Sequence, residues 1–407
     1  MSCNELTAIS RRSVLKGSAA LALWSLVPRS AVAETRDRRL LVVILRGGLD
    51  GLSMIAPVGD PRYAGLRGAL ALSASGANAG RPLDGFFALN PAMPFLHQLY
   101  ERREALLVHA VATPYRGRSH FDGQDVLESG LPGVGHPDVG WLNRAVAKLP
   151  DAGRASARGL AVSPVVPLVM RGPAPVLSWS RRTYQLAGSR DTILRLAALY
   201  GETDPALSRA FAEGLDIDGL VNGGSGPADS GRTRPFRDFI ETAEAAARLM
   251  SAVDGPRIGT LSYDGWDTHA NEGAIGGTLF NRLGGLDAAL KAYADGMGTA
   301  WADTCVVVVT EFGRTVRTNG TAGTDHGTAT AAIVVGGAVN GGRIIADWPG
   351  LSEAALFEGR DLRPTLDLRS VLKGVLADHV GVPPSALAHE VFPEGTRVAP
   401  LIGLIRT

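Results

Sequence analysis

Short apolar runs recur along the chain, separated by longer stretches in which apolar residues return at helical spacing. The runs are rich in Val, Leu and Ile and lack alternation, which is typical of strands buried on both faces. They cover residues 40–45, 106–111, 258–261, 305–309 and 332–335. Helical patterns cover residues 94–104, 121–128, 236–253, 283–301 and 367–378. This alternation predicts an α/β protein, a three-layer sandwich with a mostly parallel central sheet.

The middle of the chain breaks this pattern. Residues 220–235 are rich in Gly, Ser and Pro, as expected for a surface connection between a helical region at 190–218 and the second half of the core. Residues 151–190 contain Pro-rich segments of β type, so an insertion or cap is expected at about 151–235. We otherwise expect residues 34–407 to form a single domain.

The first 33 residues have the pattern of an export signal. The pair Arg11-Arg12 precedes an apolar run at 19–27, and the small residues at 31–33 form a cleavage signature. The run is about half of the ~20 residues that span a bilayer. The pattern favours a cleaved twin-arginine signal over an N-terminal anchor helix. It predicts a periplasmic or secreted protein that uses the twin-arginine export machinery and has no stable membrane span.

Charge and cysteine content narrow the possible functions. Beyond residue 33, the chain carries 37 Lys and Arg against 39 Asp and Glu, a net charge of −2. This near-neutral balance provides no excess of positive charge for binding nucleic acid or an anionic membrane. Cys3 leaves with the predicted signal and Cys305 stands alone, so we expect no intrachain disulfide. Stability must then come from burial of a large core.

Polar residues with metal-binding or catalytic chemistry cluster at the ends of the predicted strands. They follow four strands and precede a fifth, and ligands of parallel sheets bind beyond the carboxyl ends of the strands. Asp, Glu and His are ligands of divalent cations. The candidate metal ligands are Asp50, Asp267, His269, Glu311, Asp325 and His326. The candidate catalytic residues are Ser119, His120 and Arg314.

Each candidate also has an ordinary structural explanation. Asp50 stands in a Gly-rich turn, Glu311 has the spacing to pair with Arg314, and Ser119 precedes a predicted helix as an N-cap would. A helix start also offers N–H groups and a dipole that suit a phosphate, a sulfate or a nucleophile that attacks one. The joint placement at strand ends favours a site over a set of unrelated structural residues.

Six motifs make the chain similar to the bacterial family called domain of unknown function 1501. They are LRGGLDGL at 45–52, SHFD at 119–122, GWDTH at 265–269, TEFGRT at 310–315, DHG at 325–327 and DLRSVL at 367–372. That family resembles, at a distance, the alkaline phosphatase and sulfatase superfamily. The resemblance implies an alkaline-phosphatase-like fold with a metal-dependent hydrolase site at the strand ends.

The resemblance also implies a role for each candidate. Asp50 falls at the first metal-binding aspartate, and Ser119 or His120 falls at the nucleophile. Asp267 and His269 fall at the aspartate and histidine of a second metal, although they are two residues apart where the superfamily usually has four. Glu311 stands where an aspartate is usual. Asp325 and His326 match the region of the final histidine.

Together these observations predict an exported hydrolase of phosphate or sulfate esters that uses a divalent cation, Zn²⁺, Mg²⁺ or Ca²⁺. Its substrate would be an anionic ester, small or polymeric, with Arg314 binding the anionic group through its planar fork. The alternative is a non-catalytic periplasmic binding or structural protein on the same fold. A redox enzyme is disfavoured, because no Gly-x-Gly-x-x-Gly follows the first strand and the chain has no cysteine pair.

Overall fold

The fold is built around a strand, β1, at Arg39–Arg46, whose apolar residues are buried on both faces, as its unbroken run predicts. The structure, a computed structural model, describes residues 37–135, 137–149, 158–180 and 236–406. The predicted signal, the helical region at 190–218 and the connection at 220–235 lie outside these residues and stay predictions. Among the described residues, no helix combines the length and the apolar character needed to cross a bilayer.

Most strands join one central sheet. In chain order they are β1, β5 (Ala105–Ala112), β6 (Gly159–Val162), β7 (Val176–Trp179), β8 (Ile258–Asp264), β9 (Thr304–Thr310), β10 (Thr330–Val335), β11 (Arg343–Ile345) and β12 (Leu366–Asp367). Their order across the sheet is β11-β5-β10-β9-β1-β8-β6-β7, with β12 also beside β5. A small separate sheet contains β2 (Ile55–Ala56), β3 (Arg81–Pro82) and β4 (Ala88–Leu89).

The central sheet is mostly parallel, as predicted. β1 pairs in parallel with β8 and β9, and β6 does so with β7 and β8. β10 runs antiparallel to both of its neighbours, β5 and β9. Antiparallel strands need no crossover helix, and the chain returns from β9 to β10 through a loop at 311–329. The start of β10 therefore lies at the same edge of the sheet as the ends of β5 and β9.

Helices of eight residues or more cover both faces. They are α3 (Pro94–Glu101), α4 (His120–Ser129), α6 (Arg237–Ser251), α7 (Thr278–Met297) and α8 (Leu368–Val375). Shorter helices are α1 (Gly51–Met54), α2 (Tyr63–Arg67), α5 (Trp141–Val146) and α9 (Pro384–Ala386). All five predicted helices exist. A 3₁₀ helix at Gly298–Asp303 continues α7, and a π-helical turn at Leu376–Val380 continues α8.

Two hydrophobic cores separate these helices from the sheet. Leu41, Val43 and Leu45 of β1 pack with α3, α6 and α7 on one face. The alternate residues Leu40, Val42 and Ile44 pack with α5 and α8 on the other. Because successive side chains of a strand point to opposite faces, this division confirms the three-layer sandwich. Strands β6 and β7, from the region predicted as an insertion or cap, extend the same sheet at one end.

Candidate metal centre

The site lies at one edge of the sheet, where the chain leaves β1, β5, β8 and β9 and enters β10. The loops after β1 and β8 approach each other very closely there. Gly47 has a φ of 120°, and a Cβ on it would lie 2.5 Å from the backbone nitrogen of Asp267. Its N–H donates to Oε1 of Glu311 at 2.8 Å. Only glycine allows this conformation and this approach, so Gly47 ties together three of the loops that form the site.

Three histidines and one aspartate meet at this edge. The Nε2 atom of His326 lies 2.9 Å from the Nε2 atoms of both His120 and His269. Oδ1 of Asp267 is 3.0 Å from Nε2 of His269 and 3.2 Å from that of His326, while Oδ2 lies 3.4 Å from Nε2 of His120. Ligand atoms of His120, Asp267 and His326 all lie within 4.8 Å of one another, close enough to share a cation.

The other ring nitrogen of His120 and of His326 binds a group outside the cluster. Nδ1 of His120 donates to Oε1 of Glu311 at 2.8 Å, and Nδ1 of His326 donates to the backbone carbonyl of Arg118 at 2.9 Å. Since a carboxylate and a carbonyl only accept hydrogen bonds, these partners assign the proton to Nδ1. In the neutral imidazole, each Nε2 then presents a lone pair to the cluster.

His269 follows the same arrangement. Its Nδ1 lies 3.2 Å from Oδ1 of Asp325, which also accepts from Nδ2 of Asn319 at 3.1 Å. The same Asn319 amide donates to the backbone carbonyl of His269 at 2.9 Å. Asp325 and Asn319 therefore hold the ring and direct its Nε2 toward His326. A histidine ligand with its second nitrogen bound to a carboxylate or a carbonyl is the usual arrangement around protein-bound metals.

The donor set fits a metal ion. The Nε2 lone pairs of His120 and His326 and the carboxylate of Asp267 repel one another at 2.9–3.4 Å unless a cation or a proton lies among them, and Nε2 of His269 adds a lone pair 2.9 Å from that of His326. In a tetrahedral zinc site with bonds of about 2.0–2.1 Å, neighbouring donor atoms stand about 3.3–3.4 Å apart, close to the separations among His120, Asp267 and His326. The histidine side chains are 22–45% exposed and Asp267 is 39% exposed, so an outside ligand can reach the centre.

Electrostatics keeps the acidic groups ionised. Burial would raise the pKa of Asp267, but its bond and charge interaction with Arg314 outweigh burial and lower that pKa. Burial would also raise the pKa of Glu311, yet the bond from His120 brings it below its ordinary value. The bond to Glu311 in turn raises the pKa of His120, whereas burial and the nearby His120 lower that of His326.

Ser119 and His120 occupy different positions. Ser119 is the N-cap of α4, and its Oγ accepts from the N–H of Asp122 at 3.5 Å. His120, the first residue of α4, points its ring into the cluster and packs on Phe312 with ring centres 4.8 Å apart. The geometry thus gives His120 the position of a ligand, while the Ser119 hydroxyl lies at the start of the helix.

Arg314 is placed differently from the expectation that it binds an anionic substrate. It is only 1% exposed, and its guanidinium contacts protein groups. Nη1 donates to Oδ1 of Asp267 at 2.5 Å and Nε donates to Oγ1 of Thr324 at 3.2 Å, while Nη2 bonds to the carbonyl of Thr324. These contacts make Arg314 a support for Asp267.

Asp50 is buried and interacts with Arg67 and Leu52, not with the three histidines. Its Oδ2 forms an ion pair with Nη2 of Arg67, and its Oδ1 accepts from the N–H of Leu52 at 3.1 Å, capping α1. Both charged side chains are at most 1% exposed. Burial would raise the pKa of Asp50, but Arg67 lowers it. Asp50 is not in the group of His120, Asp267 and His326.

Several residues around the centre carry no signal in the sequence. Asn319 lies in a polar loop and Arg67 ends a short helix. Glu272 follows the GWDTH motif but belongs to no motif itself. A buried partner for Asp50 could have been sought among the arginines near it in sequence. The sequence does not show whether Arg62 or Arg67 is that partner, because the answer depends on which of the two side chains points into the interior.

Comparison with solved structures gives distant similarities. A phosphonate monoester hydrolase of Agrobacterium radiobacter is 12% identical with a TM-score of 0.39, covering 85% of this chain and 74% of that one. An alkaline phosphatase superfamily protein from Vibrio parahaemolyticus is 12% identical at 0.34, covering 76% and 62%. A phosphonoacetate hydrolase from Sinorhizobium meliloti 1021 is 15% identical at 0.30, covering 68% and 57%. The chain spans less than two thirds of the last two proteins.

Comparison by sequence gives a family. No curated protein matches the chain. Residues 104–392, which include α4 and the loops after β8 and β9, match the family described as "Protein of unknown function (DUF1501)". This match covers more than half of the 407 residues and contains all three histidines of the centre. The chain therefore belongs to the DUF1501 family.

Proposed function

We propose that this protein is an exported metal-dependent hydrolase of phosphate or sulfate esters. The observation that carries the proposal is the convergence of three Nε2 lone pairs and the Asp267 carboxylate at a solvent-accessible edge of the sheet. Solvent access supports a catalytic role, because structural metal sites are usually closed whereas catalytic sites keep a position for substrate. The ester class rests on the motif resemblance.

The donors favour a transition metal such as Zn²⁺. Imidazole nitrogens suit Zn²⁺ and its neighbours in the first transition row, whereas Mg²⁺ and Ca²⁺ take oxygen ligands. His120, His269, His326 and Asp267 would hold the ion, so Mg²⁺ and Ca²⁺ become the weaker candidates. Glu311 and Asp325, expected from the sequence to be ligands, would orient His120 and His269 through Nδ1.

The chain's own groups would bind and orient the ester. A bound divalent cation polarises ester oxygens as a Lewis acid. The N-terminus of α4 favours an anionic group near Ser119 through the helix dipole. We assign attack to Ser119, since His120 directs Nε2 to the cluster and donates from Nδ1 to Glu311. Arg314 would keep Asp267 ionised and in place.

Export by the twin-arginine route is a separate part of the proposal. A route that carries folded proteins suits a protein whose ligands come from three separate segments of the chain and meet only after folding. Replacing Arg11 and Arg12 by Lys should leave the full-length protein in the cytoplasm, as followed by cell fractionation. Arg29→Lys, in the same leader, is the matched control. Unchanged export of the Arg11→Lys/Arg12→Lys variant would contradict this route.

Activity is tested on protein loaded with Zn²⁺, Mn²⁺, Mg²⁺ or Ca²⁺, against a panel of aryl phosphates, phosphonates and sulfates. We expect turnover with a transition metal, a loss of about 100-fold or more in Ser119→Ala, and nearly complete loss in Asp267→Ala. Asp295→Ala, which changes an exposed helix residue paired with Lys291, is the control. Absence of metal binding and of turnover would favour the non-catalytic alternative.

A further inference from the structure

A series of buried polar side chains lies behind Asp267. It contains Asp50, Arg67, Glu272, Thr324 and Arg314, which we call the buried support, and none of the five is more than 1% exposed. Burying a polar group costs free energy unless the group is hydrogen-bonded. A buried set of this size therefore points to a structural or functional role.

Thr324 links the arginine to an acid. Its Oγ1 accepts from Nε of Arg314 at 3.2 Å and donates to Oε2 of Glu272 at 2.6 Å. The hydroxyl has one proton, so donating it to Glu272 leaves a lone pair for Arg314. With Nε and Nη2 both bonded to Thr324, the guanidinium plane is fixed and Nη1 faces Oδ1 of Asp267.

Glu272 and Asp50 need a proton between them. Oε1 of Glu272 is buried and has no N–H or O–H donor among the described residues, while the carboxyl groups of Glu272 and Asp50 are neighbours within bonding reach. Two carboxyl groups can bond only if one is protonated. Burial and the charge of Asp50 raise the pKa of Glu272 well above its ordinary value, whereas Arg67 holds Asp50 ionised.

We infer that the buried support is a positioning device for the metal centre, in which Glu272 orients Thr324, Thr324 orients Arg314, and Arg314 fixes Asp267. The inference rests on the proposed metal site and extends it to residues that touch neither metal nor substrate. Arg67 and Asp50 anchor the far end, since Arg67 also donates to Oγ of Ser53 at 2.7 Å and to the carbonyl of Thr315 at 3.0 Å.

The test compares the zinc affinity of variants of residues 34–407 with that of the unmodified sequence. The affinity is measured by competition with a chromophoric chelator. Thr324→Val keeps the shape and removes the hydroxyl, and we expect zinc to bind about 10–100-fold more weakly. Thr324→Ser should restore the affinity. Thr260→Val, which removes a buried hydroxyl bonded to the carbonyl of Val42 in β1, should bind zinc as the wild type does.

A second pair of variants tests the neutral acid. An amide can accept from Thr324 and donate to Asp50 as a protonated carboxyl does, so Glu272→Gln should keep the wild-type zinc affinity. Glu272→Met should lose about as much affinity as Thr324→Val. Zinc affinity unchanged in folded Thr324→Val, or lost equally in Thr260→Val, would overturn the inference.

A measurement without metal separates this inference from the proposed function. The Arg314 Nε–H proton should give an NMR signal protected from exchange, assigned by its absence in Arg314→Lys. Thr324→Val should shift that signal and remove its protection, and Thr260→Val should do neither. If the wild type binds no zinc, the metal proposal fails. An Arg314 signal that is unaffected by Thr324→Val would then overturn the buried support as well.

Discussion

The histidines of the centre use their two ring nitrogens for different tasks. In His120, His269 and His326, Nδ1 is held by an acceptor outside the cluster and Nε2 faces inward. This division sets the tautomer and the direction of each ring before any metal arrives. Because the side chains lose their conformational entropy during folding and not when the metal binds, this arrangement favours tight metal binding.

The buried pair of Asp50 and Arg67 gives a prediction about stability. Arg67→Met should lower the free energy of unfolding by about 3–5 kcal/mol, because it leaves Asp50 charged and unpaired in the interior. The double variant Asp50→Asn/Arg67→Met removes both charges and should recover most of that loss. Urea unfolding measures both values. Equal stability of Arg67→Met and the wild type would show that Asp50 does not depend on this arginine.

The sequence identified most members of the centre because their residue types and positions at strand ends limit the choice. Seven of the nine candidates meet in one network: His120, Asp267, His269, Glu311, Arg314, Asp325 and His326. Their order around the centre was not predictable. Whether a carboxylate binds a metal, a histidine or an arginine depends on angstrom-scale side-chain placement, as Glu311 and Asp50 illustrate.

At the scale of elements, the direction of β10 brings the DHG motif to the site. A parallel β10 would start at the opposite edge of the sheet, far from the ends of β1, β8 and β9. The apolar run at 332–335 predicted the strand but not its direction, since a strand buried on both faces reads the same either way. The missing helix between β9 and β10 is the sequence feature that favours reversal.

The turn after β1 gives a prediction at the same scale. Gly47→Ala should separate the β1 loop from the loop carrying Asp267, because the new Cβ would meet the Asp267 backbone and the φ of 120° disfavours alanine. We expect weaker zinc binding and a loss of stability of about 1–3 kcal/mol. Gly65→Ala, in a helix with open space around it, is the control. Wild-type zinc affinity in Gly47→Ala would contradict the role given to this turn.

For the whole molecule, two histidines buried away from the centre predict a loss of stability in acid. Burial lowers the pKa of His109 and of His379 to about 4 in the folded protein, against 6.5 when exposed. The stabilisation that these two neutral histidines contribute to the free energy of unfolding is complete above pH 6.5. It is lost as the pH falls toward 4, by up to about 3 kcal/mol for each histidine. Nδ1 of His109 accepts from the N–H of Ala110, which requires the neutral ring.

Urea unfolding between pH 7.5 and 4.5 tests this pH dependence. His109→Gln, which can keep the bond to the carbonyl of Ile55, should flatten the decline of stability with falling pH. His389→Gln, at an exposed position, should leave the decline unchanged. The same slope in His109→Gln and the wild type would show that His109 is not the group responsible.

We propose that three imidazoles and one carboxylate bind a transition metal at this edge of the sheet. X-ray absorption at the zinc edge, on protein reconstituted with one equivalent of Zn²⁺, tests it most directly. We expect a first shell of nitrogen and oxygen at about 2.0–2.1 Å with the outer-shell scattering of about three imidazoles, reduced by one in His326→Ala. A shell of oxygen without imidazole scattering, or one unaffected by His326→Ala, would contradict it.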